Sequence, residues 1–202
     1  MDARGAARRD RHRPSLFEPG TQFRYSNTNY LILGVLIEEI TGQPYHEVVR
    51  RRIIEPLDLA ATYLDGFEEV PAPFDPYGGS DPSAPDEQYD STSITTAAWA
   101  AGAIVSSAED LHRLCAALFD DRIISAASVA EMTAGGEYGL GVELSDWPRG
   151  LVGHGGAISG YGTFVRHSVD TGTTAFFAAT DLGFNPISAI VAVLDAVVDA
   201  GR

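Results

Sequence analysis

Hydrophobic and polar positions repeat with two different periods along the chain, and the change of period divides it. Residues 1–16 are polar and unpatterned, a tail or loop, and "FEPGT" at 17–21 is a Pro-Gly turn signal. From Thr28 to Thr41 the residues are apolar nearly all round, which predicts a buried helix. Ser26, Asn27 or Thr28 can cap its start, and Gly42 with Pro44 stops it. A second helix runs through "EVVRRRII", with Pro44 in its first turn and Pro56 at its end. Residues 65–91 are rich in Pro, Gly and acid and have no period, as in long loops that form lids or walls. "SSAEDLHRLCAALF" (106–119) predicts an amphipathic helix. Ser106 and Glu109 form its capping box, and Leu111, Leu114, Cys115 and Leu118 form its stripe. "SAASVAEM" (125–132) predicts a shorter helix.

The pattern then turns to short segments rich in β-branched and aromatic residues and punctuated by glycine. "YGLGVEL" (138–144), "LVGHGG" (151–156), "YGTFVRHSV" (161–169) and "TTAFFAAT" (173–180) predict strands, with "DTG" (170–172) as a hairpin turn. Asn185-Pro186 opens a final helix whose stripe is Ile187, Ile190, Val191, Leu194 and Val198. Helices followed by an antiparallel sheet flanked by helices is an α+β layout. The expectation is one domain over 1–202, with a mainly helical lobe at 17–135 and a sheet with its C-terminal helix at 136–202.

Composition narrows the function classes. The formal net charge is −14, and all 14 basic residues are arginine, for the chain contains no lysine. Arg4, Arg8, Arg9, Arg11 and Arg13 crowd the N-terminus, so the rest is more acidic still, which argues against nucleic acid or an anionic membrane as partner. No apolar run approaches the roughly 18 residues that span a bilayer. The lone Cys115 excludes an internal disulfide and reads as an inert core thiol.

Metal and nucleotide chemistry find little footing. The five histidines show no paired metal-ligand spacing, a Walker loop needs a lysine, and "GHGGAISGYG" (153–162) lies between strands and does not lead into a helix. Neither metal nor organic cofactor is expected. Two segments remain, "YSN" at 25–27 and "GHGG" at 153–156. With "IIEPLDLAATYL" (53–64), "AAGAIVSSAEDLHRL" and "YGLGVEL" in the same order, the chain resembles the serine hydrolases of the class C β-lactamase and D-alanyl-D-alanine carboxypeptidase family. Ala103 departs from that pattern, standing where a second glycine is expected. The resemblance implies a β-lactamase/transpeptidase-like fold and acyl transfer to a serine followed by hydrolysis of an amide, peptide or ester bond.

It also assigns roles. Tyr25 would be the proton relay, and since a phenol titrates near pH ~10 it would need a nearby cation. Asn27 would donate its amide to a substrate carbonyl. His154, where many relatives carry lysine or histidine, would meet a substrate carboxylate or the relay tyrosine. Gly155 and Gly156 would let a substrate backbone lie along the strand. Taken singly, Tyr25 reads more often as a buried aromatic with its hydroxyl satisfied, Asn27 as a natural helix cap and His154 most often as a surface or satisfied histidine. Tyr161 reads as a pocket wall or as a packed strand aromatic.

The family's nucleophile motif, Ser-x-x-Lys, is impossible in a chain without lysine, and only 24 residues precede Tyr25. The fold is therefore expected to be incomplete at its N-terminus, with an exposed sheet edge and apolar surface. Three readings follow. The chain is part of a serine hydrolase and inactive alone; or it is half of a split enzyme, a separate chain supplying the missing segment; or it is a non-catalytic module binding a small molecule or peptide. Relatives are often exported, but nothing in this sequence fixes its location.

Overall fold

The computed structural model describes residues 15–71, 96–145, 150–158 and 160–180. The N-terminal stretch to residue 14, the acidic excursion from residue 72 and the helix expected after Asn185 lie outside the described residues. The chain divides into two compact units. The first takes in the described residues of Met1–Pro56, Thr62–Pro73 and Ser91–Val105, and the second those of Leu57–Ala61, Phe74–Asp90 and Ser106–Arg202.

In the first unit, helix α1 spans Asn27–Thr41. Ser26, in extended backbone, caps it by accepting the Thr28 N–H at 3.3 Å. Gly42 ends it at φ 67°, a left-handed conformation that glycine adopts without a Cβ penalty, and returns its N–H to the Glu38 carbonyl at 2.8 Å. Its contact face centres on Gly34. A Cβ there would stand 2.7 Å from that of Ala100 and 2.9 Å from the Trp99 ring. The expectation of a buried helix is corrected here. Only Gly34 is buried, while Ile32, Leu33 and Leu36 are exposed and Ile40 is 82% exposed. A helix apolar on every side offers no period to say which side is covered.

Helix α2 spans Tyr45–Val49 and continues as a π-helical turn over Arg50–Ile54, burying Val48, Val49 and Ile54. Tyr45 meets the Trp99 ring edge-on at 5.3 Å, and burial raises its phenol pKa. Two short strands, β1 (Tyr63–Leu64) and β2 (Ile104–Val105), pair antiparallel across a long stretch of chain, a pairing the sequence patterning did not signal. The Glu68 carboxylate ties this unit together. It takes both the Arg50 guanidinium and the Leu64 N–H, the latter at 2.8 Å.

In the second unit, helix α3 spans Ala108–Phe119. Its cap is Ser107, which accepts the Asp110 N–H at 3.2 Å, so the box expected at Ser106 and Glu109 moves on by one residue. The shift has a use. It puts the buried Asp110 in the positive first turn, where its carboxylate accepts the Ala61 N–H at 2.8 Å. Burial lifts the Cys115 thiol on this helix to about 11, consistent with an inert side chain. Helix α4, Ala126–Met132, is capped by Ser125.

Four strands follow in sequential antiparallel order: β3 (Glu143–Ser145), β4 (Leu151–Ile158), β5 (Tyr161–Ser168) and β6 (Thr174–Ala179). The β5–β6 turn at "DTG" forms as expected, with Gly172 at φ 68° donating to the Ser168 carbonyl at 2.8 Å. The strand expected over 138–144 is corrected. Tyr138 makes an isolated bridge to Glu143, and Gly139 donates to the Val142 carbonyl at 2.8 Å, so most of the segment is a tight turn. Leu151 packs with Phe164, Ala175 and Phe177 on one face of the sheet. On the other face Phe119 of α3 stacks on His167 at 5.2 Å. Helices with an antiparallel sheet make the α+β layout expected.

Candidate functional site

The site residues expected from sequence fall into two groups, Tyr25 and Asn27 in the first unit and His154, Gly155 and Gly156 in the second. At the mouth of α1 the cap is Ser26, and neither Tyr25 nor Asn27 supplies it. Ser26 uses its hydroxyl oxygen to accept the capping Thr28 N–H. Asn27 is the first helical residue, exposed, and its side chain makes no hydrogen bond among the described residues. Tyr25 is 45% exposed, its ring 5.8 Å from that of Tyr30. A helix N-terminus presenting an uncommitted amide and a phenol suits polar recognition, because the dipole there favours a carbonyl oxygen or an anion.

On β4 the pleat sends Gly153 and Gly155 to one face and His154 and Gly156 to the other. Each face has its own reason for small residues. Gly153 stands opposite Arg166, and a Cβ there would lie 2.0 Å from the Val165 carbonyl oxygen. Gly155 stands opposite Phe164, and its N–H reaches the Glu143 carboxylate at 3.4 Å. That carboxylate also takes the buried Arg166 guanidinium, which sits 3.8 Å above the Phe164 ring. Thus Gly155 lies over an ion pair, while Gly156, exposed and beside Thr163, shares the face of His154.

His154 is held at both ring nitrogens. Nδ1 faces the Gly155 carbonyl, and Nε2 lies 2.7 Å from the Tyr138 hydroxyl, with the two rings edge to face. Sequence reasoning missed Tyr138 and the Glu143–Arg166 pair. The signal for Tyr138 was in "YGLG", since two glycines at alternate positions favour a turn over a strand. No group of three or more His, Cys, Asp or Glu among the described residues could hold a metal ion. No described helix is long and apolar enough to cross a membrane.

Comparison with known proteins gives the chain a lineage. A Beta-lactamase family model matches residues 2–200. Penicillin-binding protein 4* of Bacillus subtilis is 28% identical over 181 residues, covering 80% of this chain and 40% of that protein. A D-stereospecific amidohydrolase from a Streptomyces species superposes with a TM-score of 0.70 at 30% identity, over 82% of this chain and 52% of that one. The D-amino acid amidase of Ochrobactrum anthropi SV3, solved with L-phenylalanine amide, superposes with a TM-score of 0.73 at 27% identity, over 92% and 60%. The chain therefore spans 40–60% of the length of these relatives. In each, the matched region lies within one longer chain, which gives no support to a separate chain as its partner. With nearly all its residues matched and its helices and antiparallel sheet superposing on these structures, the chain belongs to the Beta-lactamase family.

Proposed function

We propose that this chain carries the substrate-binding walls of a serine hydrolase that cleaves amide bonds, and that it does not complete the reaction alone. The observation that carries the reading is the division of labour at α1. Ser26 supplies the cap, and the Asn27 side chain makes no hydrogen bond among the described residues, beside a half-exposed Tyr25. In the proposed chemistry Asn27 donates to the substrate carbonyl and Tyr25 relays the proton of an attacking serine. On β4, His154 orients the substrate and Gly156 gives its backbone room along the exposed face. An amide substrate is favoured because a D-amino acid amidase and a D-stereospecific amidohydrolase stand among the similar structures. The absence of lysine denies this chain a Ser-x-x-Lys nucleophile.

Two measurements test the two halves of the proposal. Calorimetry with D-phenylalanine amide should show binding, weakened about fivefold by Asn27→Ala, as expected for one hydrogen bond of about 1 kcal/mol. Intact mass after exposure to a β-lactam or a fluorophosphonate should show no adduct. Absence of any heat would remove the binding walls, and a single stoichiometric adduct would show a nucleophile at work in this chain.

A further inference from the structure

We propose that Tyr138 is a positioning residue for His154, locking the tautomer and orientation of the ring. The proposal rests on reading His154 as a substrate-facing residue and adds a group that the site motifs do not contain. The argument begins at Nδ1. The Gly155 carbonyl only accepts, so Nδ1 carries the proton. In the neutral ring Nε2 is then an acceptor, and the Tyr138 hydroxyl, 2.7 Å away, donates to it. When the ring gains a proton, Nε2–H donates to the phenol oxygen instead. The contact survives in both charge states with its direction reversed, so the ring keeps one orientation while its charge changes.

Tyr138 can hold the ring because it is itself held. It bridges to Glu143, whose strand partner is Gly153, the residue before His154. The turn that follows is tied at three points: Gly139 to the Val142 carbonyl at 2.8 Å, Leu140 to the Met132 carbonyl at 2.9 Å, and Leu144 to the Glu137 carbonyl at 2.8 Å. A Cβ at Gly139 would stand 2.1 Å from the Met132 carbonyl oxygen, so the turn admits no side chain there. The end of α4 and the edge of the sheet thereby fix the phenol, and the phenol fixes the imidazole. A ring oriented before substrate arrives loses less freedom on binding it.

The test is long-range proton–nitrogen NMR on the whole chain labelled at histidine, with His154→Gln to assign the resonance. The wild-type protein should show His154 as the single Nδ1–H tautomer. Tyr138→Phe, which keeps the ring but removes the hydroxyl, should convert it to an exchanging mixture. An Nε2–H tautomer in the wild-type spectrum overturns the proposal even if the variant does not fold, and so does a folded Tyr138→Phe with an unchanged spectrum. Failure of the functional reading looks different. A locked tautomer combined with unaltered D-phenylalanine amide binding by His154→Gln would remove the substrate role and leave the Tyr138–His154 lock standing.

Discussion

The two groups of candidate residues, one in each unit, are built by opposite means. At the mouth of α1 one backbone-directed cap positions the residues, with Asn27 exposed and Tyr25 about half exposed. On β4 every residue from Gly153 to Gly156 is hemmed by a carbonyl, a ring, a carboxylate or a hydroxyl. The helix mouth can therefore lose a side chain with little structural cost, whereas the strand cannot gain one at Gly153, where a Cβ would meet backbone. Substitutions can probe that difference directly.

The largest contrast comes from the same change made in both units. Gly153→Ala should cost about 3 kcal/mol, since its Cβ meets backbone and nothing flexible can yield. Gly34→Ala, whose Cβ meets the side chains of Ala100 and Trp99, should cost about 1 kcal/mol, because helix propensity returns part of the overpacking. Urea denaturation of the two variants measures both. Equal costs would mean that the strand is no more tightly built than the helix. Next in size is Glu143→Ala, which leaves the buried Arg166 guanidinium unpaired and should cost about 2–3 kcal/mol. The partial exposure of Glu143 keeps this below the usual range for a fully buried pair. The exposed pair Arg113–Glu109 is its control, and Glu109→Ala should cost about 0.4 kcal/mol.

The same contrast explains what could be read from the sequence. Helix positions were legible because their punctuation is local: Ser26 and Gly42 bracket α1, Ser125 opens α4, and "DTG" turns β5 into β6. Candidate site residues were legible only through ordered motifs, since no single Tyr, Asn or His announces chemistry. What escaped was long-range. Whether α1 is covered depends on what packs against Ile40, and the partner of Arg166 sits 23 residues away on another strand. The Ser106/Ser107 cap was missed by one residue because both are serine, and only the burial of Asp110 decides between them. Likewise Gly155 and Gly156 look equivalent in sequence, and only the pleat separates the one over Phe164 from the one beside His154.

At the helix mouth the effects are smaller and should separate by role. Ser26→Ala should cost about 1 kcal/mol as a lost cap, with ligand contacts retained. Asn27→Ala should change stability by less than about 0.5 kcal/mol while weakening amide binding. If Asn27→Ala proved the more destabilising, the assignment of cap and recognition to separate residues would be wrong. The apolar face of α1 invites a companion measurement. Ile40→Glu should leave the melting temperature within a degree or two and reduce concentration-dependent association in sedimentation, because an exposed isoleucine contributes to contacts between molecules more than to the fold.

The finest distinction between the units is the pH at which each loses stability. His167 in the second unit is 2% exposed, stacked on Phe119, and shares the Thr174 hydroxyl with His112, each Nδ1 lying 2.9 Å from it. Burial, with a smaller contribution from the neighbouring His112, lowers its pKa, and Asp120 opposes the shift weakly. The native state then binds fewer protons than the unfolded chain, so the stability His167 contributes is present above about pH 6.5 and is lost as pH falls through its depressed folded value. In the first unit the paired carboxylate is Glu68, lowered chiefly by its bond to Arg50 and further by the Leu64 N–H, against the opposing effect of burial. Its contribution is present above the ordinary carboxylate value of about 4.3 and disappears only as pH falls further, through the lowered value. Stability measured by urea from pH 8 to pH 3 should therefore fall in two stages. His167→Gln should flatten the first stage and leave the second, while Glu68→Gln should reduce the second and leave the first. A first stage that persists undiminished in His167→Gln would show that this buried histidine of β5 does not carry the acid sensitivity of the second unit.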